Sequence, residues 1–110
     1  MGDESLRARL LDKFTVQAND LLRQMSETSR EDGLAKLKLY SHTLKGSAAN
    51  MSAAAVGKVA NKIESLAKVG NIDDVQGELD RLAAEINRCV KFVKDLTEAP
   101  IAIKSPGTDK

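Results

Sequence analysis

The chain has 110 residues, with 17 Lys and Arg against 16 Asp and Glu, one cysteine and 3% aromatic residues. That length makes one domain able to bury a single core without disulfide or metal staples. The near-cancelled charge and the lack of tryptophan argue against a nucleic-acid binder, and a lone cysteine cannot form an internal disulfide, which fits a reducing compartment. No apolar run approaches the roughly 20 residues of a membrane helix. Met1-Gly2-Asp3-Glu4 has neither the basic start nor the apolar stretch of a signal peptide. The expectation is a cytoplasmic protein without membrane insertion.

The first helix is expected over about Glu4 to Met25, capped by Asp3 or Ser5. Its apolar stripe is Leu6, Leu10, Phe14, Ala18, Leu21 and Met25. A second helix begins near Arg30 to Asp32, where Ser29 and Asp32 form a variant of the capping box. Leu34, Leu37, Ser41, Leu44, Ala48 and Met51 then alternate in steps of three and four. Asn50-Met51-Ser52 reads as a break, with Ser52 capping a third helix from Ala53 to about Val69 whose stripe is Val56, Val59, Ala60, Ile63, Leu66 and Ala67. Gly70 supplies the stop and Asn71 or Asp73 the next cap. The fourth helix, about Ile72 to Glu98, carries a heptad-like seam of Val75, Leu79, Leu82, Ile86, Cys89, Val93 and Leu96, and Pro100 ends it. Ile101 to Lys110 has no periodicity and reads as a disordered tail or linker stump. No strand pattern and no internal repeat appears. The fold class is therefore all-α, an antiparallel up-down four-helix bundle over residues 1–98.

Within the second helix lies the only histidine. At about 100° per residue, His42 sits roughly 130° from the centre of the apolar stripe and faces solvent or a partner. Lys45, Gly46, Lys38 and Ala49 fall on the same side, and Leu39 is exposed. A glycine inside a helix costs about 1 kcal/mol relative to alanine. Side chains lean back over the preceding turn, so a bulky residue at 46 would cover His42. Gly46 leaves the imidazole open, and Lys45 places a cation on the adjacent row. This arrangement suits a nucleophile that receives an anionic group. Ser47 can bond back to the helix, Asn50 can cap its end, and Cys89 reads as a small core residue. Asp73-Asp74 reads as helix-start charge. One His and one Cys on different helices make no metal site.

The run His42-Thr43-Leu44-Lys45-Gly46-Ser47-Ala48-Ala49-Asn50 resembles the signature of histidine-containing phosphotransfer (HPt) domains of multistep phosphorelays. Val56, Val59 and Ile63-Glu64 match the pattern of the helix after the histidine, and Phe14 to Leu39 resembles the segment before it, so about the first 98 residues are covered. One departure is Ser52, where the family often has glycine. The resemblance implies a phosphocarrier without kinase activity. His42 would take a phosphoryl group from the aspartyl phosphate of a receiver domain, that of a response regulator or of a hybrid sensor kinase, and pass it to another receiver. Lys45 would offset the phosphoryl charge, Gly46 would give access, and Nε2 would be the phosphorylated nitrogen. The chain would need no cofactor, Mg2+ being expected on the receiver, and would act as a monomer. Two other readings are open. One is the dimerising phosphoacceptor hairpin of a histidine kinase, which typically has an acidic residue where Thr43 stands. The other is a helical docking module in which His42 has no chemical role.

Overall fold

The computed structural model describes residues 2–28 and 33–104. Four helices follow one another: α1 (Gly2–Ser26), α2 (Gly33–Asn50), α3 (Ala54–Lys68) and α4 (Val75–Lys104). Each packs against its chain neighbour and α4 returns to α1. The result is an up-down four-helix bundle with no strand among the described residues.

The expected stripes build the core. Phe14, Ala18, Leu21 and Met25 of α1 meet Leu37, Leu44 and Ala48 of α2, Val56, Ala60, Ile63, Leu66 and Ala67 of α3, and Val75, Leu79, Leu82 and Ile86 of α4. Helices in proteins draw most of their stability from packing of an amphipathic face, so burial of these faces against one another holds them. Ser41 sits fully buried in the α2 stripe because its Oγ donates to the Leu37 carbonyl at 2.6 Å. A buried hydroxyl therefore keeps its hydrogen bond.

Some expectations are corrected. Leu6 and Leu10 are exposed, and the α1 stripe continues instead through Leu11 and Ala8. Leu11 lies beside Cys89 and Phe92 of α4, so the buried face of α1 rotates towards 8 and 11 as it follows that helix. Asp3 and Ser5 do not cap α1, which already begins at Gly2. Cys89 is half-buried against the core, and burial, followed by the nearby Glu85, raises its thiol pKa. Pro100 does not end α4, which runs on to Lys104. Proline removes one N–H and can kink a helix without stopping it. The Ser29–Asp32 capping box and residues 105–110 of the expected tail lie outside the described residues.

The α2–α3 corner is the most informative correction. Ser52 is not the cap of α3; that position is Ala53, whose side chain makes no cap. Ser52 has φ +58 and closes α2. Its N–H donates to Ala49 O at 3.2 Å, and Ala53 N–H donates to Ala48 O at 2.8 Å. These two bonds are a Schellman motif. The same motif ends α3, where Gly70, at φ +73, donates to Ala67 O and Asn71 donates to Leu66 O. One fold uses one helix stop twice, once with the residue suited to left-handed backbone and once with serine. Asn71 then holds the turn before α4, accepting from Asp74 N–H and donating to the Asp74 carboxylate.

Candidate functional site

Close packing of α2 on α3 sets up the site. A Cβ built on Gly57 would meet the Ala48 methyl at 3.5 Å, so the two helices approach over small residues. One turn and more further along, α3 turns Asn61, Glu64 and Lys68 towards the flank of α2 that carries His42 and Lys45.

His42 projects outward, its side chain 67% exposed, while Glu64 is only 7% exposed. Nδ1 of His42 lies 3.0 Å from Oε2 of Glu64. Nζ of Lys45 lies 2.8 Å from the other carboxylate oxygen, Oε1, and donates to Asn61 Oδ1 at 3.3 Å. Lys68, one helical turn beyond Glu64, stands 4.0 Å from Oε2. Lys45 therefore forms a close ion pair with this buried carboxylate. The Glu64 pKa is held below its ordinary value, first by Lys45 and then by His42, against the opposing effect of burial.

That electrostatic arrangement fixes the histidine tautomer. An ionised carboxylate only accepts hydrogen bonds. Nδ1 must therefore carry the proton it donates to Glu64, which leaves the lone pair of the neutral ring on Nε2. The ring is anchored at one nitrogen and open at the other. A Cβ built on Gly46 would meet nothing within 4 Å. The glycine is thus not needed for helix packing, in agreement with its phase on α2.

The three residues singled out in the sequence, His42, Lys45 and Gly46, are brought together on one face, and Leu39 is exposed beside them. The sequence alone assigns Glu64 and Asn61 no part there, although both touch Lys45. A signal for Glu64 is present: it falls in step with Ala60 and Ala67 on the buried side of α3, where an unpaired carboxylate would be costly. Ser47 and Asn50 line a groove between α1 and α2, with Leu10, Lys13, Phe14 and Gln17 opposite. Among the described residues, no group of three or more His, Cys, Asp or Glu side chains could hold a metal ion.

The family defined by the Hpt domain matches residues 9–91, which spans the helix with His42 and the one with Glu64. The chain belongs to the Hpt domain family. Hpt domains act in phosphotransfer within phosphorelays and interact there with receiver domains, and they are phosphocarriers rather than kinases. No curated protein and no solved structure matches the chain. Among the described residues, no helix of this Hpt domain is long and apolar enough to cross a membrane.

Proposed function

We propose that this Hpt domain is a monomeric, cytoplasmic phosphorelay intermediate in which His42 is the phosphorylated residue. Nε2 attacks the phosphorus of a receiver aspartyl phosphate in line. The Nε2–P bond forms as the P–O bond to the aspartate breaks, and the electron pair leaves with the carboxylate. The ring keeps its Nδ1 proton and gains positive charge, which the Glu64 carboxylate offsets. Lys45 turns from Glu64 towards the phosphoryl oxygens, and Gly46 leaves room for the incoming receiver. The reverse sequence on a second receiver discharges the group. Phosphoryl transfer asks mainly for alignment and charge neutralisation, and Mg2+ belongs to the receiver. No cofactor is assigned to this chain.

The observation that supports this reading is the exposed ring held at Nδ1 by a buried, charge-compensated carboxylate. It is tested by loading receiver domains with labelled phosphate, adding the protein and following the label, with His42→Gln as control. Label that is stable in alkali, labile in acid and absent from the variant supports the carrier. A folded bundle that takes no label from any receiver would leave the docking-module reading in its place.

A further inference from the structure

The charge of this chain is nearly balanced, but its distribution is not. Between residues 33 and 69 there are six lysines, Lys36, Lys38, Lys45, Lys58, Lys62 and Lys68, and a single acid, Glu64. That leaves +5 on α2, α3 and their junction, and since the whole chain carries +1, the remainder carries −4. The one acid of this half is buried and already paired with Lys45. Lys36, Lys38, Lys58, Lys62 and Lys68 are all exposed. The face that presents His42 is therefore basic, with no exposed carboxylate on either of its helices.

The centre of that face has a different character. At about 100° per residue, Ala35, Leu39, Gly46 and Ala49 lie within about 60° of His42 on α2, and all four are exposed. Leu39 is 59% exposed. Lys38 and Lys45 flank this ridge on the α3 side and Lys36 flanks it on the α1 side, with Lys58 and Lys62 further out on α3. A small apolar centre inside a charged rim is the anatomy of a protein–protein interface. Nucleic acid would call for aromatic stacking platforms or arginine. Neither α2 nor α3 contains Arg, Phe or Trp, and Tyr40 packs against the core.

We infer that this face docks receiver domains whose surface around the phosphoaccepting aspartate is acidic, and that the lysine rim selects them by long-range attraction. The inference rests on the phosphocarrier reading. Charges at the rim of an interface act mainly on the rate of encounter and on its salt dependence. The rim lysines thus set how readily the complex forms, while His42, Lys45 and Gly46 act within it.

The test uses receiver domains chosen to span acidic to basic surfaces around the aspartate, each loaded with labelled acetyl phosphate. Transfer to the wild type is compared with transfer to Lys36→Glu/Lys38→Glu/Lys58→Glu/Lys62→Glu, at low and high NaCl. For acidic receivers the variant should raise KM by about tenfold or more and leave the single-turnover rate of the saturated complex within about twofold. Added salt should likewise raise the wild-type KM, and it should lower that of the variant, whose reversed rim repels an acidic receiver. Circular dichroism and thermal unfolding establish that the variant is folded; if it is not, single and paired reversals at the same positions give the same reading. Transfer that ignores both salt and charge reversal overturns the docking inference alone. So does preferential binding of duplex DNA or of anionic phosphatidylserine vesicles to the same lysines in place of receivers. No transfer from any receiver at low salt, in a folded wild type, would remove the phosphocarrier reading and this inference with it.

Discussion

His42 and Glu64, 22 residues apart in the chain, meet at 3.0 Å through Nδ1 and Oε2. The contact joins the exposed surface of the domain to its buried interior, since the histidine is solvent-facing and the glutamate is not. It determines which ring nitrogen is free. A hydrogen bond to a charged group is worth about 1.5–3 kcal/mol, which corresponds to roughly 10–100-fold in rate if it strengthens as the ring becomes charged. Glu64→Ala is expected to slow phosphoryl acceptance by that amount in single-turnover assays. Glu64→Gln, which can still accept from Nδ1–H without offsetting the charge, should fall between the two. Equal rates in all three proteins would mean that the contact has no part in transfer.

The same carboxylate makes stability depend on pH. Its folded pKa is depressed, while that of an unfolded glutamate is about 4.3. As pH falls, the unfolded chain takes up the proton first. The contribution of Glu64 is therefore fully present above about pH 5, declines from there and is lost as pH drops through the depressed value. Urea unfolding from about pH 7 to about pH 3 should show this decline in the wild type and a shallower one in Glu64→Gln.

The two helix stops supply a matched pair. Left-handed backbone costs a non-glycine residue about 1–2 kcal/mol, and glycine returns part of that gain through its freer unfolded chain. Ser52→Gly is expected to stabilise the domain by about 0.5–1 kcal/mol, a rise in Tm of several degrees. Gly70→Ala should destabilise it by about 1 kcal/mol or more. Thermal unfolding of both variants beside the wild type checks the pair.

Gly46 separates stability from access. With open space around its missing Cβ, Gly46→Ala should stabilise α2 by about 1 kcal/mol. Gly46→Gln should recover most of that stability too, yet its longer side chain leans over His42. Its transfer rate should fall by about tenfold or more through loss of in-line alignment. A Gly46→Gln protein that is both more stable and fully active would contradict the role given to the glycine.

Four helices, their order and most of their buried faces are legible because a helix that buries one side writes that side into the sequence at a fixed period. The periodicity holds where each helix has neighbours on both flanks, as at Leu37, Leu44 and Ala48. It misleads at Leu6 and Leu10, where the buried direction depends on which helix lies alongside, and that is a tertiary fact. Ser52 reads as a cap because serine is a good one; its left-handed backbone follows from how α2 must turn into α3. Pro100 reads as a terminator from its local chemistry alone. The site is legible on α2, where His42, Lys45 and Gly46 are close in sequence. Glu64 and Asn61 come from another helix, and only packing of α3 on α2 brings them to Lys45.

The most direct measurement exploits the single histidine. Protein labelled with 15N at His42 is loaded from a phosphorylated receiver, and the two ring nitrogens are resolved by NMR. The expected result is 31P coupling at Nε2 with the proton retained on Nδ1. Phosphorus on Nδ1, or a phosphorylated protein with neither nitrogen coupled, would contradict it.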